Sequence, residues 1–377
     1  MRVTWDIFCS VVDNYGDIGV TWRLARQLVA EHDVSVRLWV DDLSPFTRIC
    51  PEADSAALRQ VQQGVEVCFW GADWLPAEPA DVVVEAFACE LPAAYVDAMA
   101  KRERKVLWLN LEYLSAEDWV EGCHGLPSMQ PGGLAKFFFF PGFTAGTGGL
   151  LREHKLLSER LEFQADAQAR GNFLRSLGVE PVSNARLISL FAYENDALAS
   201  WLDALAAGSQ VSQLLVPEGR VLSSVQAWLG GELLRAGDQV QRGALQLHVL
   251  PFVRQDQYDR LLWCCDFNAV RGEDSFVRAQ WAGRPLLWHI YQQDEGVHLE
   301  KLEAFLSLYA EGLSDDARAA LCDLWRAWNT SGEMTDSWNQ TLKVWDELDL
   351  HAAKWALEQA SRPDLATALV QFYLNWL

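Results

Sequence analysis

Val11-Val12-Asp13-Asn14-Tyr15-Gly16-Asp17-Ile18-Gly19 lies between an apolar run over residues 3–12 and an amphipathic run over residues 18–32. That order reads as a turn joining a first strand to a first helix, the place where open α/β sheets bind ligands. The turn carries two carboxylates, Asp13 and Asp17, and two glycines. With a helix beginning near Asp17, both carboxylates stand at its N-terminal end, where the helix dipole favours negative charge. The same placement suits chemistry on a cationic or proton-bearing group. On residue type alone, a turn aspartate followed by an N-cap explains the pair equally well. The turn lacks G-x-G-x-x-G, which weighs against a dinucleotide-dependent dehydrogenase.

Outward from this turn, strands and helices alternate. Residues 34–40 read as a second strand, and residues 44–60 hold Pro45 and Pro51 before a short helical run. Residues 65–70, 81–87 and 105–111 read as further strands, with a helix over 92–104. The run 81–87 is nearly all apolar, as a central parallel strand should be. Such alternation predicts βαβ units and a parallel, doubly wound sheet. Residues 112–149 read as an irregular tract. Its glycine-rich end, residues 142–149, lacks the Lys-Ser/Thr pair of a P-loop and reads as a surface loop. Residues 150–177 are charged and helical. A second α/β pattern follows, with strands over 185–191, 211–216, 245–250, 265–270 and 285–290. From His298 the chain is almost wholly helical, with breaks near Gly312, Ser331 and Pro363.

The expected fold class is therefore α/β, with two Rossmann-like domains facing each other across a cleft and a helical C-terminal tail. That layout is the GT-B one. A first domain spans residues 1–155, a helical connector 156–180 and a second domain 181–361, with a last helix at about 362–377 packing back on the first.

Composition narrows the function classes. At 377 residues, 50% of them hydrophobic, the chain exceeds what one core usually takes. A net charge of −21 argues against nucleic acid and anionic membrane as partners. The eight cysteines form no C-x-x-C pair and read as reduced core thiols of a cytoplasmic protein. The opening residues read as a strand rather than a signal peptide. No apolar run approaches the roughly 18 residues a membrane helix needs. The 18 tryptophans read as core packing. The histidines show no H-x-x-x-H or H-E-x-x-H spacing and there is no G-x-S-x-G elbow, so no metal is expected.

A second stretch, Arg271-Gly272-Glu273-Asp274-Ser275-Phe276-Val277-Arg278, repeats the strand, glycine turn and helix start of the first. Backbone N–H groups of Asp274, Ser275 and Phe276 suit a diphosphate, although Asp274 or Ser275 would also serve as a plain N-cap. Arg271 suits bidentate phosphate binding, or a pairing with Glu273. Glu273 suits a sugar hydroxyl or support of the reacting groups. Aromatics mark other strand ends: Phe191, Tyr193, Phe252 and Tyr291. With Gln255, the first three offer the stacking surface and edge hydrogen bonds of a base pocket.

Both stretches resemble signatures of the EarP family, protein-arginine rhamnosyltransferases of bacterial elongation factor P. The resemblance is carried by residues 12–20 with Trp22-Arg23-Leu24-Ala25, and by residues 270–281 with Leu250-Pro251-Phe252. It runs the full length of the chain. It implies an inverting GT-B enzyme that moves L-rhamnose from dTDP-β-L-rhamnose to a guanidinium nitrogen of an elongation factor P arginine. It implies that Asp13 and Asp17 act at the acceptor, with Asp17 the favoured general base, although the two roles are exchangeable. It implies that activity needs Glu273. It further implies that Asp274 and Ser275 hold the dTDP end with Phe191, Tyr193, Phe252, Gln255, Arg271 and Tyr291. Asn14, Tyr15, Gly16 and Gly19 contribute more weakly as donor or loop residues. No cofactor or metal is expected beyond the donor substrate, and no nucleic-acid or membrane partner.

The chemistry suits these residues. A guanidinium has a pKa above about 12 and is a poor nucleophile while protonated. A carboxylate pair can bind it in fork geometry and take a proton as the C–N bond forms. The rival readings are another GT-B nucleotide-sugar enzyme, such as a UDP-sugar transferase or epimerase, and a non-catalytic module that binds elongation factor P. The polar density of both loops argues against the last.

Overall fold

The computed structural model describes residues 2–377 except 14, 72–73, 75–76 and 293–295, so Asn14 of the first loop lies outside the described residues. The chain divides into two compact units, Met1–His154 with Gln359–Leu377, and Lys155–Glu358.

The first unit begins with β1 (Thr4–Cys9), α1 (Gly16–Glu31), β2 (Ser35–Val40), α2 (Leu43–Ile49), β3 (Arg59–Gln62) and β4 (Val65–Phe69). It continues with β5 (Val82–Ala86), α3 (Ala93–Lys101), β6 (Leu107–Leu111), α4 (Trp119–Cys123), β7 (Pro127–Met129) and β8 (Ala135–Phe139). Among the described residues the strands form one sheet in the order β3-β4-β2-β1-β5-β6-β8-β7. From β4 to β8 all pairings are parallel. β5 and β6 are buried on both faces, which explains their apolar runs, interrupted by Glu85 and Asn110 alone. The chain steps from β1 to β2 on one side and later enters β5 on the other, so a topological switch point lies between β1 and β5.

Residues 112–149 are not the irregular tract expected from their Pro and Gly content. They hold α4, β7 and β8, and β8 extends the parallel sheet beside β6. Phe137, Phe138 and Phe139 form a short strand between breakers that conceal it. β3 and β7 are antiparallel edge strands that the sequence reading missed. Arg59-Gln60-Val61-Gln62 faces mostly solvent, so it carries little apolar signal.

A buried carboxylate organises the core of this unit. Asp6 in β1 is fully buried and accepts from Arg37 Nε and Nη2, both at 2.6 Å. Trp39 Nε1 donates to it at 3.1 Å, the backbone N–H of Ala80 at 3.2 Å, and the Tyr95 hydroxyl also donates. Burial, followed by the charge of Asp6, pushes the Tyr95 phenol well above its ordinary range, so it remains a donor. Phe8, Trp39 and Tyr95 then pack as rings around this point. The last helix of the chain (Leu365–Trp376) closes the unit against α1. Gln27 Nε2 donates to Asp364 Oδ1 at 2.9 Å, and Tyr373 meets Trp5 edge-on at 6.3 Å.

The second unit opens with α5 (Leu156–Ala165), α6 (Ala167–Ser176), β9 (Arg186–Leu190), α7 (Leu198–Ala206), β10 (Ser212–Pro217) and α8 (Leu222–Trp228). Next come β11 (Gln239–Arg242), β12 (Leu245–Leu250), α9 (Gln255–Cys264), β13 (Phe267–Arg271), α10 (Asp274–Ala282) and β14 (Leu286–His289). Four helices follow: α11 (Val297–Tyr309), α12 (Asp315–Asn329), α13 (Thr335–Lys343) and α14 (Trp345–Ala360). α15 (Leu365–Trp376) returns to the first unit. The sheet order is β11-β12-β10-β9-β13-β14, parallel except for the edge strand β11. Its switch point lies between β9 and β13. Arg278 of α10 and Asp259 of α9 form a buried bidentate pair at 2.9 and 2.7 Å, which locks these two helices together. Trp201, Trp328 and Trp338 pack as one aromatic group, in keeping with a core role for tryptophan. All eight cysteines are free thiols, and no helix among the described residues is long and apolar enough to cross a membrane.

Replacing Asp6 by Ala should strand several buried donors. The expected loss is about 3 kcal/mol of unfolding free energy, at the low end for a broken buried pair because Arg37 keeps some solvent contact. Denaturant unfolding checks this; a loss below about 1 kcal/mol would mean the network adds nothing to the core.

Candidate active site

In the first unit the switch point is built around Asp17. β1 ends at Cys9, and α1 begins at Gly16 with Tyr15 as its N-cap. Neither aspartate is therefore the N-cap. Asp17 instead folds the loop back on the helix: its Oδ2 accepts the backbone N–H of Val12 at 2.9 Å and of Asp13 at 2.8 Å. Asp41, just past β2, holds the other end of the loop by accepting from Val11 N at 2.9 Å and from the Ser10 hydroxyl.

Asp17 is 3% exposed. Burial pushes its carboxyl above the usual aspartate range, and the charge of Asp13 pushes the same way. The two backbone N–H bonds and the Tyr113 hydroxyl, 3.3 Å from Oδ1, act in the opposite direction without cancelling the burial effect. A carboxylate moved towards neutrality is better matched to proton abstraction than an ordinary one.

Asp13 is half-buried beside it. The Gly16 backbone N–H donates to the Asp13 carbonyl at 2.6 Å, and a Cβ on Gly16 would stand 2.9 Å from Asp13 Oδ2. The missing side chain at Gly16 is thus what leaves the Asp13 carboxylate its place. Tyr15 is half-buried at the helix start. Gly19 is different. It is buried within α1, its N–H bonded to the Tyr15 carbonyl at 3.0 Å, so it is a helix residue rather than part of the loop.

In the second unit the groups gather where β9 and β13 part. Arg271 ends β13 and is 5% exposed. Its guanidinium lies over Phe191 at 4.8 Å and over Tyr193 at 4.6 Å, measured to the ring centroids. Such stacking holds the plane of the cation. Phe191 and Tyr193 therefore each turn a ring face towards the same arginine. Arg220 approaches Tyr193 at 5.3 Å and pairs with Glu194 at 2.8 Å. Tyr291 is 43% exposed and meets Tyr193 edge-on at 5.7 Å.

Gly272 follows at φ +59°, a left-handed conformation suited to glycine, and its carbonyl accepts Trp288 Nε1 at 2.7 Å. Glu273, not Asp274 or Ser275, is the N-cap of α10, and its side chain makes no capping bond. The Ser275 hydroxyl closes the turn on Arg271, donating to its carbonyl and accepting its N–H at 3.1 Å. Asp274 accepts from Gln255 Nε2 at 3.2 Å, which ties the start of α10 to the start of α9. Phe252, between β12 and α9, is half-buried near that junction. Arg271, Glu273, Asp274, Ser275, Phe191, Tyr193, Gln255 and Tyr291 thus belong to one connected strand-end cluster.

The sequence reading missed four residues here. His289 ends β14, is 2% exposed and packs on Tyr193 at 5.2 Å. Burial, then the charge of Arg271, brings it down to about 4, so it is neutral at pH 7. Arg220 lies just past the end of β10, and its position at a strand end was the available signal. Tyr113 and Phe87, in the first unit, had the same signal: Phe87 follows β5, which flanks the switch point, and Tyr113 follows the neighbouring parallel strand β6.

Two doubly wound sheets with charged groups at their switch points have the GT-B fold. A solved glycosyltransferase structure from Rickettsia africae ESF-5 shares this fold, with a TM-score of 0.55 over 99% of this chain and 98% of that one at 8% identity. Closer similarity narrows the class. The protein-arginine rhamnosyltransferase of Pseudomonas putida is 66% identical over 377 residues, covering 100% of both chains. A structure solved for EarP-mediated arginine glycosylation of translation elongation factor EF-P is 50% identical, with a TM-score of 0.72 and 100% of both chains covered. The sequence pattern of the elongation factor P rhamnosyltransferase EarP matches residues 5–374. The chain belongs to the EarP family and is a protein-arginine rhamnosyltransferase.

The raised Asp17 carboxyl has a consequence for stability. The folded state holds its proton at pH values where the unfolded chain has already released it. Stability therefore falls as pH rises from the ordinary aspartate value, about 3.9, through the raised folded value. Asp17→Asn removes this titration. Wild type should lose stability relative to Asp17→Asn as pH climbs across that window, read as the difference in Tm at pH 4 and pH 8 (about the span of the effect). A constant difference would contradict the buried-carboxyl reading.

Proposed function

We propose that the chain moves L-rhamnose from dTDP-β-L-rhamnose to one guanidinium nitrogen of an arginine on translation elongation factor P, with inversion at the anomeric carbon. The observation that carries this is the desolvated Asp17 carboxylate, fixed by two backbone N–H groups at a switch point.

The arginine nitrogen bonds to the anomeric carbon while that carbon's bond to the diphosphate oxygen breaks. The electron pair of the broken bond leaves with dTDP, and the nitrogen's proton passes to Asp17. Asp13 holds the guanidinium by its fork and keeps its charge localised, which restores nucleophilicity to one nitrogen. In the donor half, Arg271 and the N–H groups at the start of α10 meet the charge growing on the leaving diphosphate. Phe191 and Tyr193 hold Arg271 flat for this, with Tyr291, Phe252, Gln255, Asp274 and Ser275 shaping the dTDP end. Glu273, the N-cap residue of α10, takes a sugar hydroxyl. The proposed reaction uses no metal and no cofactor, and its natural setting is the cytoplasm, where its acceptor resides.

The direct experiment incubates the purified chain with dTDP-rhamnose and elongation factor P and reads the acceptor by mass spectrometry. The expected product carries one deoxyhexose on one arginine; no adduct at saturating donor sinks the proposal. Asp17→Asn should abolish transfer and keep dTDP binding. In thermal-shift titrations dTDP should stabilise more than UDP, and the reverse order would point to a UDP-sugar enzyme.

Arg271→Lys tests the donor half. Lysine keeps the charge and loses both the planar stack and the bidentate fork. KM for the donor should rise about tenfold or more, the scale of one lost charge-assisted hydrogen bond, while KM for the acceptor stays within about twofold. An unchanged donor KM would remove Arg271 from the donor site.

A further inference from the structure

Phe87 is the first residue after β5 and Tyr113 is the second after β6, so both stand at the carboxyl edge beside the β1–β5 switch point. Their rings stack with centroids 4.5 Å apart and planes within 17°. Tyr113 is 38% exposed and Phe87 is half-buried. An exposed, ordered aromatic pair at a ligand-binding strand edge is poorly explained by hydrophobic burial.

The backbone that carries Phe87 is strained. Phe87 has φ +56°, Ala88 φ +53° and Glu90 φ +49°, and none of them is glycine. A bulky residue in the left-handed region is unfavourable and persists only where the surroundings impose it. Here the Phe87 N–H is bound to the Leu111 carbonyl at 2.7 Å and Cys89 N–H to the Ala86 carbonyl at 3.2 Å. The strained turn sets the Phe87 ring against Tyr113, and the Tyr113 hydroxyl reaches Asp17 Oδ1 at 3.3 Å. A flat apolar surface and a desolvated carboxylate are thereby joined in one unit.

We propose that the Phe87–Tyr113 stack is the platform for the acceptor guanidinium, and that Tyr113 is also the positioning residue of the Asp17 carboxylate. This rests on the reading of Asp17 as the base at the acceptor. A guanidinium is planar and weakly hydrated, so it can lie flat on an aromatic face while its edge presents N–H groups to a carboxylate. A lysine ammonium is compact and strongly hydrated and gains less from such a surface. The platform therefore selects arginine over lysine by shape and hydration, where the carboxylates alone would attract either cation. It also places the nucleophilic nitrogen in line with the base, because the phenol that supports the cation holds the same carboxylate.

The test uses the full chain, elongation factor P and dTDP-rhamnose, with KM measured separately for each substrate. Phe87→Gly removes the ring and relieves the left-handed strain. It should leave Tm unchanged or raised while increasing the acceptor KM about tenfold, with donor KM and dTDP binding within about twofold. Tyr113→Leu should give the same KM split. Tyr113→Phe keeps the ring and loses the donor to ionised Asp17. It should hold the acceptor KM nearly constant and move the acidic limb of the kcat/KM profile to higher pH. Unchanged acceptor KM in both Phe87→Gly and Tyr113→Leu overturns the platform, and a raised donor KM instead assigns the rings to the sugar. An unshifted pH limb in Tyr113→Phe overturns the positioning role. If Asp17→Asn is inactive while the ring variants match wild type, only the platform fails; if Asp17→Asn transfers at the wild-type rate, the underlying base assignment fails.

Discussion

The backbone N–H groups of Val12 and Asp13 both donate to one oxygen of Asp17, and the loop between β1 and α1 depends on that contact. It turns a reactive side chain into the closure of its own loop. The carboxylate is kept nearly dry, yet two amides and a phenol prevent it from being an orphan charge. A surface aspartate would be too weak a base for a guanidinium proton, and an unsupported buried one would simply stay protonated. The arrangement lies between those limits, with burial the larger influence and hydrogen bonding the restraint on it.

The parallel sheet explains why the same construction occurs twice. In each unit the chain leaves a central strand in one direction and returns on its other side, and the two connecting loops part at the strand ends. Between β1 and β5 the parted loops supply acids and a ring pair. Between β9 and β13 they supply Arg271, its aromatic supports and a helix N-terminus without a side-chain cap. The sign of the charge differs between the two switch points, as the proposed reaction needs for a cationic acceptor and a diphosphate donor.

The two loops were legible because glycine and charge interrupt apolar strands abruptly, and a strand followed by a helix leaves little choice about where such a turn sits. The parallel strands were legible for the same reason, since β5 and β6 are apolar except for Glu85 and Asn110. Strands β3 and β11 were not, being polar edges with few buried positions. β8 was hidden by the Pro and Gly on either side of it. Gly19 was grouped with the loop through the family resemblance, although a helix start near Asp17 already places it inside α1. The partners of individual groups were the least legible. Tyr113 is 96 residues from Asp17, and no periodicity connects them. Arg271 was equally consistent with a salt bridge to Glu273; only the tertiary fold puts two rings beneath it.

The distribution of favourable and unfavourable terms within the first unit follows from this division. The dry Asp17 carboxyl and the left-handed Phe87, Ala88 and Glu90 all raise the folded state's free energy, and all lie at the carboxyl edge of the sheet. The compensating features lie in the body of the sheet and towards its other edge. Asp6 there takes five donors from Arg37, Trp39, Ala80 and Tyr95, and Asp81 takes the Thr4 N–H at 3.0 Å and Arg102 at 2.7 Å. Backbone strain of about 1–3 kcal/mol per residue is tolerable only on a scaffold with reserves of that kind. Substitutions that relax the carboxyl edge can therefore stabilise the chain while weakening its reaction, because the conformations that position the acceptor are ones the polypeptide would not adopt unaided.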